Sequence, residues 1–255
     1  MSAPGWRSPL LPGVREEALA RRLADEVAIA EGLLLTLTVA PGEYWRLASE
    51  RADRDEACRA VFVGAWLVGD AGDPDPFAAA RAAQTGVRAA VRRGALAAEP
   101  GAEQADISFE RFAQRGGGPH AALIGDPAWR AARRFERVAE RLSLPGLSRA
   151  LRFRVLVLLG RLGVIEARAP ALLLADANRW DRTLAGAVRV FANDEPAELE
   201  RRAGLLADAA QLPFDVLDLA LWNLADAPRA TLGEAPGEAV GPARERTLAA
   251  LALRP

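Results

Sequence analysis

The chain has 255 residues, of which 51% are hydrophobic and 26% are charged, and its formal net charge is -1. This composition excludes collagen-like, disulfide-framework and highly charged disordered chains, and it fits one large domain or two small ones. The longest apolar runs fall far short of the roughly 20 residues that a membrane helix needs, so we expect no membrane partner. The first residues lack a basic region followed by an apolar core, which predicts a cytoplasmic protein without a signal peptide.

The ionisable residues narrow the chemistry further. All 33 basic residues are arginines, so no lysine amine is present to form a Schiff base. One cysteine, Cys58, and one histidine, His120, are too few for an iron–sulfur cluster or a structural zinc site. We therefore predict no metal and no cofactor, and any catalysis must use carboxylates, arginines, hydroxyls and backbone groups.

Hydrophobic periodicity, caps and Pro/Gly punctuation predict a helical chain with few alternatives. Residues 33–39 fit either a strand or a buried helix, and loops are predicted at 69–76, 95–106 and 116–119. Asp126 is expected to cap the helix that starts at Pro127. The predicted helices, in chain order, cover 16–30, 43–51, 55–68, 77–91, 107–113, 127–142, 149–162, 178–191, 196–210, 214–225 and 243–253.

These elements predict an all-α, single-domain helical array with a helix–hairpin–helix turn near residues 127–162. Residues 1–226 are expected to form the helical domain. Residues 227–255 are expected to form a flexible Pro-, Gly- and Ala-rich tail, with a short terminal helix that either docks or frays. The oligomeric state is left open.

Charge is concentrated in the middle of the chain. Between Arg81 and Arg168 there are 16 arginines and eight acidic residues. A basic stretch within a nearly neutral protein indicates an anionic partner such as phosphate. The alternative is that these arginines solvate helix faces and pair with neighbouring carboxylates.

The segment Leu144-Pro145-Gly146-Leu147-Ser148-Arg149-Ala150 lies between two predicted helices. Proline and glycine favour a tight reversal, after which backbone N–H groups at a helix start can hold a phosphate. The segment resembles the helix–hairpin–helix turn of the DNA glycosylase superfamily, except that Ser148 replaces the second glycine and is suited to capping the helix instead. The resemblance implies DNA as partner, with Gly146, Ser148, Arg149 and Arg152 as nucleic-acid-binding residues.

The same resemblance implies a catalytic carboxylate beyond the second helix of the hairpin. Two candidates fit, Asp176 at the expected start of the 178–191 helix and the nearby Asp181, and the sequence does not choose between them. The lysine of the lyase-type members is replaced by Ala150. The implied enzyme is therefore monofunctional.

Residues 212–222 supply a third similarity. The segment Leu212-Pro213-Phe214-Asp215-Val216-Leu217-Asp218-Leu219-Ala220-Leu221-Trp222 resembles the C-terminal helix of archaeal 8-oxoguanine DNA glycosylases. The resemblance implies that Asp218 contacts the extruded base and that Trp222 stacks on it. Gly42-Glu43-Tyr44-Trp45 resembles the glutamate-rich segment that precedes a tryptophan in that family. The resemblance adds Trp45 to the substrate-binding residues. A plain amphipathic helix with Leu217, Leu221 and Trp222 in the core is the alternative.

Together these features predict a hydrolase of base excision repair, in which a carboxylate activates water and stabilises an oxocarbenium-like sugar. Two other functions stay open. Residues 194–203 resemble the queuosine-nucleotide hydrolase family, whose substrate is a small nucleotide. A helical nucleic-acid-binding protein without catalysis is the third interpretation.

Overall fold

The computed structural model describes residues 6–39, 53–67, 101–225, 229 and 241–254. These residues form helices and no strands, so the all-α class is confirmed. A short 3-10 turn, Leu174–Asp176, precedes α7. The helices are α1 (Glu17–Val39), α2 (Arg54–Leu67), α3 (Ala102–Arg115), α4 (Pro119–Ile124), α5 (Ala131–Arg141), α6 (Arg149–Arg161), α7 (Arg182–Phe191), α8 (Pro196–Ala210), α9 (Phe214–Ala225) and α10 (Pro242–Ala250).

The chain divides into two compact units. The terminal unit combines Met1–Leu34 with Ala171–Ala230 and Ala235–Pro255, so both ends of the chain contribute to it. The central unit contains Leu35–Pro170 and Thr231–Glu234. Each of the two has buried apolar side chains of its own.

In the terminal unit, α7 packs along α9 and α8 packs against α10. Helices α7 and α9 come close because Gly186 faces the Leu221 carbonyl, where any Cβ would overlap the oxygen. The segment before α1 is attached to α7, since the Gly13 amide donates to the Val190 carbonyl at 2.9 Å. The apolar side chains that face inward here include Leu23, Val27, Val190, Phe191, Leu206, Leu217 and Leu221.

In the central unit, α2 packs against α6 and α4. The rings of Phe62 and Phe109 stack with their centroids 4.1 Å apart, which joins α2 to α3. Phe135 and Phe153 meet edge to face at 5.1 Å and join α5 to α6. Aromatic pairs of this kind add about 1 kcal/mol each beyond their buried area.

Helix α5 begins at Ala131, four residues later than predicted. Asp126 caps a turn rather than the helix, because its Oδ1 accepts from the Ala128 amide at 2.9 Å. The buried guanidinium of Arg134 donates to the carbonyls of Ile124 and Glu166. Arg134 therefore holds the loop before α5 in a non-helical conformation. The Asp126-Pro127 pair is typical of a helix start and did not predict this loop.

Other boundaries also shift. Residues 33–39 continue α1, and α3 spans 102–115 rather than 107–113, so residues 102–106 are helical rather than part of the predicted loop. Helix α7 starts at Arg182 and not at 178, because Asp181 caps it. The predictions for 43–51, 69–76 and 77–91 fall outside the residues that the structure describes.

The terminal helix docks. α10 packs against α8, and the side chains of Arg244 and Arg246 pair with Asp25 and Glu31 of α1 at 2.7 and 2.8 Å. The tail predicted between 227 and 240 lies outside the described residues, apart from Arg229. None of the described helices combines the length and the apolar character that crossing a bilayer requires.

Candidate functional site

The predicted reversal between α5 and α6 is present at residues 142–148. Gly146 adopts a φ of +85°, a conformation that favours glycine, and the Leu147 amide donates to the Leu144 carbonyl at 3.0 Å. The Ser148 hydroxyl accepts from the Leu151 amide at 3.3 Å, so serine caps α6 where the family pattern has glycine. Pro145, Gly146 and Ser148 are exposed at the positive end of the α6 dipole.

The other side of this turn is covered by α3. The Ser108 hydroxyl donates to the Pro145 carbonyl at 2.8 Å. A Cβ on Gly146 would stand 2.5 Å from the Ala105 nitrogen. Gly146 therefore serves packing between the turn and α3 as well as the bend itself.

Arg149 and Arg152 do not face solvent, which corrects their predicted contact with phosphate. They are only 3% and 4% exposed. The Arg149 guanidinium lies 4.8 Å from the centroid of the Phe153 ring, and Arg152 Nη1 donates to the Ala139 carbonyl at 2.8 Å. Both side chains stabilise the helical pair from inside, because a buried guanidinium needs these partners.

Asp176 is exposed at the end of the 3-10 turn rather than at a helix start, which corrects its predicted position. The turn is fixed from α8, where the Glu200 carboxylate accepts from the amides of Leu172 and Leu174 at 3.0 and 2.5 Å. An exposed carboxylate interacts with charge through a high dielectric, which weakens electrostatic stabilisation of a cationic sugar.

Asp181, the competing candidate, has a different environment. It is 6% exposed and caps α7, with its Oδ1 accepting from the Thr183 and Leu184 amides at 2.9 and 3.3 Å. Of the two aspartates, Asp181 is thus the one at the start of a helix.

Two more of the predicted residues lie on α9, which packs along α7. Asp218 and Trp222 are one turn apart on α9, both half-buried. The Thr183 hydroxyl donates to the Asp218 carbonyl at 3.4 Å, and the Arg182 guanidinium lies 5.1 Å from the centroid of the Trp222 ring. We call Asp181, Arg182, Thr183, Asp218 and Trp222 the α7–α9 cluster.

Arg182 and Thr183 were missed by sequence reasoning. Arg182 stands directly after a helix-capping aspartate, so its position at the first turn was available from the sequence. Its contact with Trp222 was not, because 40 positions separate the two residues and only the packing of α7 on α9 brings them together.

Trp180 was also missed, and it is the most exposed large apolar side chain among the described residues, at 77%. The Arg179 guanidinium lies 4.7 Å from its ring centroid. The Asn178 side chain accepts from the Trp180 amide at 2.8 Å, and its carbonyl accepts from the Asp181 amide at 2.9 Å. The loop that presents this indole is therefore held by its own hydrogen bonds.

The last of the predicted site residues, Trp45, lies outside the described residues. A cavity of 380 Å³ lies beside the start of α1, and none of the predicted site residues lines it. Its lining includes Arg15, Arg22 and Arg189. Within the described ranges, no three His, Cys, Asp or Glu side chains come together as a metal site would require.

Comparison with known proteins adds no relative. A scan of family models, a search of curated proteins and a search of solved structures each gave no match to this chain. The resemblance to helix–hairpin–helix glycosylases stays a prediction from the sequence motifs.

Proposed function

We propose that this chain is a monofunctional, lysine-independent N-glycosidase that removes a modified base from DNA. One observation carries the proposal: α7 begins with a buried, helix-capping carboxylate, Asp181, directly before Arg182, whose guanidinium lies 5.1 Å from the centroid of the Trp222 ring. A base that leaves the duplex needs an aromatic surface and polar groups to receive it. Asp218 and Trp222 supply these groups in this proposal.

In the proposed reaction, the bond between the anomeric carbon and the base nitrogen breaks, and the base leaves with the bonding electron pair and takes up a proton from solvent. The Asp181 carboxylate stabilises the oxocarbenium-like sugar and accepts a proton from the water that adds to the anomeric carbon. The two amides on Asp181 Oδ1 fix the orientation of the carboxylate. Such preorganisation is what electrostatic catalysis requires.

The exposed reversal at 145–148 is assigned to the DNA backbone. Its residues stand at the amino end of α6, and N–H groups at such an end bind phosphate oxygens. Because Arg149 and Arg152 are buried, the turn would act through its backbone and the Ser148 side chain.

The test uses labelled oligonucleotides that carry uracil or oxidised, deaminated or alkylated bases, each examined for alkali-labile sites after incubation with the protein. Asp181→Asn keeps a capping side chain, so we expect normal folding and a loss of base release of at least a hundredfold. Asp176→Asn is the matched control, and we expect it to retain activity. Full base release by Asp181→Asn would overturn the assignment of Asp181.

A second candidate is a helical DNA-binding protein without catalysis. It is favoured by the fact that Asp181 already has a structural task as the cap of α7. A mobility shift without base release from any substrate would establish it. Release of a base from a free nucleotide, with binding that salt hardly changes, would instead favour the nucleotide N-glycosidase alternative, since duplex binding weakens steeply with salt.

A further inference from the structure

Three exposed arginines of the central unit lie on α3 and at the end of α5, and one of them contacts a phenylalanine of α3. Arg111 and Arg115 are one turn apart on α3, and Arg141 ends α5. All three are exposed. We call these three residues the arginine face.

Aromatic contacts hold Arg141 in place. Its guanidinium lies 5.3 Å from the centroid of the Phe112 ring, next to Arg111 in the sequence. A Cβ on Gly125 would stand 3.1 Å from Arg141 Nη1 and 2.5 Å from Trp129 Cζ3, so Arg141 and Trp129 meet at Gly125. Aromatic faces attract a guanidinium, and this contact orders its planar fork.

Carboxylates do not neutralise the arginine face. Glu110, on the same helix, pairs with Arg59 at 2.9 Å, and Glu140 pairs with Arg137 at 2.9 Å. Within the described chain, Arg111, Arg115 and Arg141 have no carboxylate oxygen within 4.0 Å. A group of like charges without counter-charges lowers its free energy by binding an anion.

We propose that the arginine face binds the phosphodiester backbone of duplex DNA. The inference rests on the proposed function and deepens it, because it names side chains for phosphate contact where Arg149 and Arg152 are buried. Each guanidinium presents N–H donors in a planar fork that matches two phosphate oxygens. The contact with the Phe112 ring already restricts Arg141, so less motion is lost on binding.

The experiment measures the affinity of the full chain for a short undamaged duplex over a series of salt concentrations. The test variants are Arg111→Gln/Arg115→Gln and Arg141→Gln. The matched control is Arg201→Gln/Arg202→Gln, which removes two charges from α8 where both arginines pair with Glu198. Thermal unfolding of every variant accompanies the binding curves.

We expect the slope of log affinity against log salt to become shallower by about 1 for each arginine removed from the face. The α8 control should keep the wild-type slope. The inference is overturned if the Arg111/Arg115 variant and the control bind alike, or if the wild type does not bind the duplex. Should Arg141→Gln unfold, the double variant on α3 still decides.

The two proposals fail separately. Arginine-dependent duplex binding without base release from any substrate contradicts the N-glycosidase and supports the binding face. Base release that persists in the Arg111/Arg115 variant with unchanged affinity and salt slope contradicts the face and leaves the N-glycosidase standing.

Discussion

Arg229 holds the carboxylate of Glu26, a residue 203 positions earlier, through three contacts. Its Nε lies 2.9 and 3.0 Å from the two carboxylate oxygens, and its Nη2 lies 2.7 Å from one of them. Glu26 is completely buried, whereas Arg229 is 45% exposed. Arg229 therefore compensates the charge of the buried Glu26 carboxylate on α1.

Removing Arg229 should be costly, because among the described residues the buried Glu26 carboxylate then keeps one ion-pair partner, Arg22 at 4.0 Å. We expect Arg229→Ala to lower the free energy of unfolding by about 3 kcal/mol, measured by urea denaturation. Arg21→Ala is the control, since it breaks the exposed pair with Glu17 and should cost less than about 1 kcal/mol. Adding Glu26→Gln to Arg229→Ala should restore part of the loss, and equal effects of the two arginine substitutions would refute this account.

Gly146 should not tolerate a side chain. We expect Gly146→Ala to destabilise the protein by about 2 kcal/mol or more, because the alanine has a φ of +85° and a Cβ pressed on Ala105. Gly163→Ala has a φ of +66° with no atom within 4 Å of the new Cβ, so it isolates the backbone strain. Thermal melts of both variants separate the steric part, and the expectation is wrong if the two melt together.

Cys58 should be inert in the folded protein. Burial, and next the charge of Asp55, raise the pKa of its thiol from 9.0 to about 12. A chromogenic thiol reagent at pH 8 should therefore react with the unfolded chain and hardly with the native one. Rapid reaction of the native protein would contradict the burial of this thiol.

The same shift makes stability depend on pH in a defined direction. Below pH 9 the Cys58 thiol is protonated in both the native and the unfolded state. In that range it does not make the free energy of unfolding depend on pH. Between pH 9 and about 12 only the unfolded thiol ionises, so Cys58 should lower the free energy of unfolding as pH rises. Cys58→Ala should remove this component from a pH series of urea melts.

Much of the helical order followed from local signals. Helix α8 has the predicted bounds, because Pro196 stands at its first position and the Glu195 side chain caps it. α9 also spans the predicted 214–225. The start of α5 did not follow, since Arg134 bonds to the Glu166 carbonyl, 32 residues away.

The candidate site was only partly readable. The sequence named Asp181, Asp218 and Trp222 but not the packing of α7 on α9 that brings their helices together. It could not choose Asp181 over Asp176, because capping depends on where the helix starts. The sequence predicted Arg149 and Arg152 as surface charges. In the structure the Arg149 guanidinium lies over the Phe153 ring, and Arg152 donates to the Ala139 carbonyl. Arginine patterns alone do not distinguish an exposed cation from an enclosed donor.

The contact of Gly186 with the Leu221 carbonyl sets a limit on how the α7–α9 cluster can vary. Even a methyl group there would push the two helices apart and with them the carboxylate, the hydroxyl and the indole that they carry. A saturation library should thus reject every replacement at 186 while accepting many at Gly204, around which space is open. Gly186 therefore limits which sequences can keep the α7–α9 cluster, because this position cannot accept a side chain.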